Sequence, residues 1–495
     1  MHFRALYLTA LFLFPVSLRL SAEQPPSTTD MSHVISAYRK RLASEPLDYA
    51  LLEKKELPGM VLQRYRQNSQ SWSPQGSITP AQWQNGVDIY IPDVVREVNA
   101  LVVINNGSND NGSGNAVLPT NFSVEALSRI ALATQTIVIS VSNVPNQALR
   151  YQGMSTSLAE DDSVAYSWKL FMQAPHSYQD IPLHIPMAAS VSQAFRLAKK
   201  ELVQKHISQY IVTGVSKRGW AAWLAALADP DVSAVVPFAT DVLNTKATLE
   251  HIYKSYGRNW PVAFHPYYKQ RIDQQVATDE FTALMSLEDP LAYLNTGLAG
   301  RLNIEKYVIN ASGDDFYVPD NSHFYYDRLP GPRSLRMIPN AAHRDVLSVS
   351  EQALITFVNR VQGKQKLPEI TEKIQSGVHG EKALKVSFSE QPATILQWTA
   401  GNAAARDFRK ACGVRYRSSP VTLATGDTTL TIPLATPERG WQATYLEATF
   451  SDGYVATTQV YITPGEKYPD TAPPSTGGAC QILPGRGLTF ADVKQ

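Results

Sequence analysis

The sequence predicts an α/β protein in which a doubly wound, mostly parallel β-sheet precedes a small C-terminal antiparallel β-sandwich domain. Two patterns of hydrophobic residues in the 495-residue chain support this prediction. Across residues 98–365, short β-branched runs such as "ALVVIN" and "QYIVTGV" alternate with helical stretches. Strands that are apolar on both faces are typical of a parallel sheet covered by helices on two sides. Across residues 366–465, runs such as "ALKVSFS" and "ATTQVYIT" alternate with period two, as in antiparallel sheets.

The remaining segments complete the predicted organisation. Residues 23–97 form a helical lead-in and the first strands of the α/β domain, because apolar residues at helical spacing give way to strand-like runs. Residues 241–300 form a long insertion between two sheet strands. Residues 466–495 are rich in Pro, Gly and Thr and are expected to form an irregular tail.

The N-terminal sequence "MHFRALYLTALFLFPVSLRLSAEQ" predicts a signal peptide over residues 1–22. A short basic start precedes an apolar run that is shorter than the ~20 residues needed to cross a bilayer, which argues against a membrane anchor. The mature chain is therefore expected to be exported, either periplasmic or secreted, without a transmembrane segment. In such a chain Cys412 and Cys480 either pair or remain free thiols.

Composition excludes several classes of function. With 44% hydrophobic and 18% charged residues the chain is an ordinary globular protein, and its net charge of +1 gives no basis for nucleic-acid binding. Neither a GxxxxGKS/T phosphate loop nor an HExxH zinc motif occurs, so no cofactor and no metal are expected. The expected partner is a small-molecule or peptide substrate. The sequence does not address the oligomeric state.

The stretch "GVSKRGW" predicts a nucleophile elbow. Ser216 follows a predicted strand and precedes an Ala-rich helix, which is how α/β-hydrolases present a catalytic serine. Their usual signature is G-x-S-x-G, whereas here Arg218 occupies the place of the second glycine and Gly219 follows it. We expect Arg218 to point away from the sheet and Gly219 to supply the close packing. A serine that merely caps a helix is the alternative.

Two later strand ends supply the other members of a catalytic triad. "INASGDDFYVP" places Asp314 and Asp315 after one predicted strand, and "IPNAAH" places His343 after the next. The order serine, acid, histidine is that of α/β-hydrolases. Asp315 is favoured over Asp314 because it lies four residues before a proline, as the acid commonly does in related hydrolases. Ser216 would attack, His343 would transfer the proton, and the aspartate would orient the imidazole.

The oxyanion donors are predicted from the same logic. The backbone N–H of Lys217, directly after the nucleophile, is one candidate. The second is expected from the glycine-rich loop "NNGSNDNGSGN", either at Gly107 or at Ser108, although a solvated turn is equally consistent with that composition. The side chains of Lys217 and Arg218 are expected either to attract an acidic substrate or to be solvated on the helix surface.

Two further segments border the predicted site. "EDDSVAYSW" places Glu160, Asp161 and Asp162 at a helix start, where carboxylates stabilise the helix dipole; binding of a substrate amine is the weaker alternative. The insertion carries aromatic residues that either roof a pocket or pack in the core. They are Tyr253, Tyr256, Trp260 and Tyr267.

The sequence resembles the PhoPQ-activated pathogenicity-related proteins. The resemblance runs from about Leu51 to Thr463, and its motifs include "VPNQALRYQG", "EDDSVAYSW", "GVSKRGWAAWLAAL", "GDDFYVPDNS" and "ARDFR". It implies an α/β-hydrolase-like domain followed by a small β domain, in an exported bacterial protein linked to virulence. Members share the S-K-R-G elbow, but often carry Asp-Glu in place of Asp314-Asp315.

The residues and the resemblance together predict a serine hydrolase that cleaves an ester or a peptide/amide bond. A hydrolase-shaped binding protein with little turnover is the alternative.

Overall fold

The computed structural model describes residues 31–96, 99–110, 116–378 and 380–489. The predicted signal peptide, residues 1–22, lies outside this part of the chain. Among the helices of the described residues, none has both the length and the apolar character required to span a bilayer.

A nine-stranded mixed sheet forms the centre of the molecule. The strands are β1 (Asp48–Leu57), β2 (Met60–Ser71), β3 (Gln82–Pro92), β4 (Asn99–Ile104), β5 (Ile137–Ser142), β6 (Gln209–Val215), β7 (Val232–Phe238), β8 (Glu305–Ala311) and β9 (Arg333–Ile338). They lie in the order β1-β2-β3-β5-β4-β6-β7-β8-β9. Neighbours from β1 to β5 in this order are antiparallel, and neighbours from β5 to β9 are parallel. This α/β-hydrolase topology confirms the predicted fold class.

Helices cover both faces of the sheet, as the doubly apolar strands predict. The helices are α1 (His33–Ala43), α2 (Val124–Thr134), α3 (Glu160–Gln173), α4 (His184–Glu201), α5 (Lys217–Ala228), α6 (Thr245–Ser255), α7 (His265–Lys269), α8 (Asp279–Glu288) and α9 (Ser350–Gln362). Alternate residues of β4 enter two different hydrophobic clusters: Val102 packs in the cluster of α4 and α5, whereas Val103 packs in that of α2 and α9. Helices α6 to α8 belong to the long insertion between β7 and β8.

Two antiparallel sheets follow α9, as the period-two runs predict. The strands are β10 (Ile370–Ser376), β11 (Lys382–Phe388), β12 (Thr394–Asn402), β13 (Arg417–Pro420), β14 (Thr429–Leu434), β15 (Trp441–Thr449), β16 (Val455–Thr457) and β17 (Tyr461–Thr463). One sheet has the order β10-β11-β14; the other has the order β13-β12-β15-β16, with β17 also paired to β15. The two sheets do not form an independent core, because the cluster that holds Phe357 of α9 and Tyr307 of β8 also holds Leu384 and Leu446.

The C-terminal tail is held against the insertion although it has little regular structure. Ile482–Leu483 pairs antiparallel with Trp260–Pro261. Cys412 and Cys480 form a disulfide with a Cα–Cα distance of 5.0 Å, which settles the pairing that the sequence left open. The tail is thereby fixed at one end to the β domain and along its length to the insertion.

The shared core predicts that the two domains unfold together. Leu384→Ala removes a fully buried side chain from this cluster and should lower the free energy of unfolding by about 2–5 kcal/mol. Its exposed neighbour Lys385 provides the control, because Lys385→Ala should change stability by less than about 0.5 kcal/mol. Calorimetry should show one transition that shifts as a whole. Two transitions, of which only one responds to Leu384→Ala, would contradict a shared core.

Candidate active site

Ser216 lies on a strained turn between β6 and α5. Its φ of 58° and ψ of −126° are unfavourable for any residue with a side chain. Backbone hydrogen bonds maintain this conformation: the Ser216 N–H donates to Phe238 O of β7 over 2.8 Å, and the Trp220 N–H donates to Ser216 O over 3.0 Å. This is the geometry of a nucleophile elbow, which exposes a serine hydroxyl at the carboxyl edge of the sheet.

Two glycines make the turn sterically possible. A Cβ atom on Gly214 would lie 2.5 Å from Arg218 O. One on Gly219 would lie 2.3 Å from Thr240 Oγ1 and 3.3 Å from Phe238 O at the end of the neighbouring strand. Gly219 therefore supplies the close packing that the second glycine of the usual signature provides, as the sequence predicts.

The charges of the elbow are paired with the start of α3. Lys217 Nζ lies 2.7 Å from Glu160 Oε2 and 3.1 Å from Asp161 Oδ2, and Arg218 Nη2 lies 2.6 Å from Glu160 Oε1. Burial raises the pKa of Glu160, but the charges of Lys217 and Arg218 outweigh it and hold that pKa well below its usual range. We call these four residues the elbow ion cluster.

The elbow ion cluster corrects two expectations. The Lys217 and Arg218 side chains are only 8% and 4% exposed, so they neither attract an acidic substrate nor lie solvated on the helix surface. Burial requires each cation to have a partner, and Glu160 and Asp161 provide it. These two acids therefore do more than stabilise the helix dipole. Asp162 is not part of the cluster and has its Oδ1 3.9 Å from Lys269 Nζ.

His343 is paired with Asp314. Its Nδ1 lies 3.0 Å from Asp314 Oδ1 and 2.9 Å from Oδ2. The sequence favoured Asp315 as this partner, and the structure corrects that preference. Asp314 Oδ1 accepts backbone N–H groups of Phe316 (2.7 Å) and Tyr317 (3.3 Å), so the turn folds the Asp314 carboxylate inward.

Asp315 is left in a different environment. Burial and the adjacent charge of Asp314 raise its pKa, and its Oδ1 has no hydrogen-bond partner among the described residues. The loops of the acid and the histidine are joined by their backbones, since the Gly313 N–H donates to Ala341 O over 2.9 Å.

The second imidazole nitrogen of His343 is available for chemistry. Nε2 is buried and has no partner within the described part of the chain. No hydrogen bond in that part joins it to Ser216 Oγ, but catalytic hydrogen bonds are often long in ligand-free enzymes. Ser216 and Phe316 line one cavity, and the Phe316 ring centroid lies 4.6 Å from that of His343. The arrangement suits a histidine that exchanges a proton near this cavity.

The oxyanion candidates differ in their availability. Lys217 is the first residue of α5, where backbone N–H groups have no partner within the helix. The Ser108 N–H donates to Val117 O over 3.0 Å, so the structure removes Ser108 as a backbone donor. The Gly107 N–H has no partner among the described residues. The pairing of Ile104 with Gly214 places its loop beside the elbow, although Gly107 does not line the cavity of Ser216.

The cavity beside Ser216 is mainly aromatic. Of the four aromatic residues of the insertion that were expected either to roof a pocket or to pack in the core, Trp260 and Tyr267 line this cavity, whereas Tyr253 and Tyr256 do not. The sequence analysis did not identify several other residues that line the cavity, although their positions beside the motifs could have indicated them. Trp220 follows Ser216 by one helical turn, and three further aromatic residues follow one of the two acidic motifs. These three are Trp168, Phe316 and Tyr317.

The elbow ion cluster predicts a stability that depends on pH. Glu160→Gln leaves two buried cations with one acid and should lower the free energy of unfolding by about 2 kcal/mol. The loss of stability is smaller than that expected on breaking a fully buried ion pair, because the Glu160 side chain is 38% exposed. Asp162→Asn, at the same helix start, should have little effect.

The sign of the pH dependence follows from the lowered pKa of Glu160. In the unfolded chain Glu160 takes up a proton near its ordinary pKa of 4.5, whereas in the folded chain it stays ionised to lower pH. The stabilisation is therefore fully present above pH 4.5 and declines as the pH falls below it. Denaturant titrations of wild type and Glu160→Gln should converge in that range, and a constant difference would contradict this account.

Known proteins of similar sequence or structure cover much of the chain. Autocrine proliferation repressor protein A of Dictyostelium discoideum is 26% identical over 430 residues, which span 81% of this chain and 82% of that protein. The acetyl xylan esterase from Paenibacillus sp. R4 is 15% identical, with a TM-score of 0.44, over 68% of this chain and 96% of the esterase. Acetyl xylan esterase 1 from Thermoanaerobacterium sp. JW/SL YS485 is 14% identical, with a TM-score of 0.42, over 66% and 95%.

The family assignment rests on a match to the model of a protein family. Residues 35–409, which include the elbow, Asp314, His343 and the start of the β domain, match the family described as PhoPQ-activated pathogenicity-related protein. The sequence resemblance is thus confirmed, and the chain belongs to the PhoPQ-activated pathogenicity-related protein family.

Proposed function

We propose that this protein is an exported serine hydrolase of the α/β-hydrolase type that cleaves an ester or a peptide/amide bond. One observation carries the proposal. Asp314 holds Nδ1 of His343 while the buried Nε2 of the same ring has no partner among the described residues, and Ser216 stands on a strained elbow at the same edge of the sheet. An unpartnered buried nitrogen does not by itself mark a catalytic histidine, because His184 of α4 also pairs Nδ1 with a carboxylate, Glu288, and has no described partner for Nε2. What supports His343 is its place after β9, at the edge of the sheet that carries the elbow.

The proposed roles follow from this geometry. Ser216 Oγ attacks the carbonyl carbon while His343 Nε2 takes its proton, and the imidazolium then protonates the leaving group, which leaves an acyl group on Ser216. A water that gives its proton to the same Nε2 then attacks this acyl group, and the return of the proton to Oγ releases the acid and restores Ser216. Asp314 orients the ring and stabilises its charge. The Lys217 N–H, with the Gly107 N–H as the second donor, stabilises the oxyanion. The elbow ion cluster keeps the start of α5 in place, so that these donors need little reorganisation.

Export and a link to virulence belong to the same proposal. The N-terminal segment has the pattern of a signal peptide, and the Cys412–Cys480 disulfide is typical of oxidising compartments such as the periplasm or the exterior. The description of the family names pathogenicity and activation by PhoPQ, and we extend that link to this chain.

A fluorophosphonate probe tests the nucleophile. The wild-type protein should be labelled on Ser216, Ser216→Ala should not be labelled, and His343→Ala should react at least about 10³-fold more slowly. Mass spectrometry of the labelled peptide identifies the site. Failure of the folded wild type to react would favour the alternative, a hydrolase-shaped binding protein, for which the missing Ser216–His343 hydrogen bond is the supporting observation.

Two isosteric variants test the acid. Asp314→Asn should slow labelling by about 10³-fold or more, because an amide does not stabilise the imidazolium and favours the wrong tautomer. Asp315→Asn is the matched control, one residue away, and should retain most of the rate. The reverse order of the two variants would restore the assignment that the sequence favoured.

A further inference from the structure

The cavity beside Ser216 is walled by rings that contact one another. Trp168 lies 5.5 Å from Trp220 and 5.4 Å from Tyr267, measured between ring centroids. Phe264 continues the series at 6.1 Å from Tyr267 and 5.7 Å from Phe316, whose ring centroid lies 4.6 Å from that of His343. Burial raises the pKa of Tyr267 well above its usual value, so this phenol stays uncharged. Such walls favour apolar and aromatic ligands.

The charges at the elbow end of the cavity cancel. Asp161 and Lys217 line this end of the cavity and form an ion pair with each other. Asp161 also accepts a hydrogen bond from the Tyr267 hydroxyl over 3.1 Å, and Lys217 forms a second ion pair with Glu160. Arg218 forms an ion pair with the other oxygen of Glu160, so the two cations of the elbow ion cluster are balanced by its two carboxylates. This end therefore offers a ligand no unpaired charge.

The other charged wall residue is neutralised from the C-terminal tail. Asp273 is 6% exposed and lines the cavity. Arg486, more than 200 residues later, forms a two-pronged ion pair with it, at 2.6 Å from Oδ1 and 3.1 Å from Oδ2. Arg486 also donates to Tyr268 O and stacks over the Tyr268 ring at 3.5 Å, so its position is fixed by several contacts.

We propose that this cavity accepts an uncharged aromatic or bulky apolar group of the substrate, and that Arg486 maintains this specificity by neutralising Asp273. The inference rests on the proposed function, because it takes Ser216 as the group that attacks the substrate. It deepens that function by naming the substrate class: an ester or amide with a neutral, ring-sized apolar group next to the scissile bond. An anionic or cationic group would enter walls that contain no counter-charge for it.

Three probes that share one fluorophosphonate warhead test the substrate class. Their arms are benzyl, carboxyalkyl and aminoalkyl. Wild type should react with the benzyl probe faster than with either charged probe, by a factor on the order of 30 or more, since a desolvated charge without a partner costs that much. Ser216-dependent labelling at equal rates would overturn this inference and leave the proposed function intact.

Reciprocal charge variants test Arg486. Arg486→Met leaves Asp273 unpaired and should shift preference toward the aminoalkyl arm by on the order of 30-fold. Asp273→Asn leaves Arg486 unpaired and should shift it toward the carboxyalkyl arm. The double variant restores neutrality and should restore the benzyl preference. Single variants that leave the order of the three probes unchanged would overturn the role of Arg486.

A binding experiment keeps the inference testable if labelling fails. The indoles of the cavity should report ligands by tryptophan fluorescence in Ser216→Ala, where no turnover is possible. Benzyl alcohol should bind more tightly than benzoate or benzylamine. Addition of Arg486→Met and Asp273→Asn leaves the net charge unchanged, so this variant should keep the same order of binding. Equal binding of the three compounds would contradict the substrate class, whereas a neutral preference without any labelling would remove only the proposed chemistry.

Discussion

The elbow ion cluster is the interaction on which the rest of the site depends. A bulky cation replaces the second glycine of the usual elbow, and a buried guanidinium is tolerated only with a partner. Glu160 at the start of α3 meets both Lys217 and Arg218. The same cluster continues through Asp161 to Tyr267, so the turn that presents Ser216 and one wall of the cavity are fixed by a single set of charges.

The β domain and the tail build the surroundings of this site instead of forming a separate module. Lys410 of the β domain donates its backbone N–H to Gly313 O, directly before the acid. A Cβ atom on Gly313 would lie 2.8 Å from Lys410 N, so only glycine allows this approach. Beyond the disulfide, the tail pairs with the insertion that roofs the cavity. Arg486 of the tail forms an ion pair with Asp273 of that insertion. An α/β domain without these segments would lose the ion-pair partner of Asp273 and the backbone contact that supports the turn of the acid.

Much of the site was predictable because its signals are local. The strand, the glycine and the serine are adjacent in "TGVSKRG", and the acid and histidine follow later strands in the expected order. The choice between Asp314 and Asp315 was not predictable, since it depends on which carboxylate the turn directs inward. The loss of Ser108 as a donor likewise depends on a partner, Val117, across a loop.

The sequence by itself determined the fold class, the strand–helix rhythm, the period-two β domain and the position of the elbow. These features arise from periodicity and from steric limits on neighbouring residues, which a linear pattern records. Tertiary structure alone decided that Lys217 and Arg218 are buried, that Asp314 contacts His343, and that the tail neutralises Asp273. Each of these depends on groups far apart in the chain, whose proximity and burial, and hence whose electrostatics, exist only after folding.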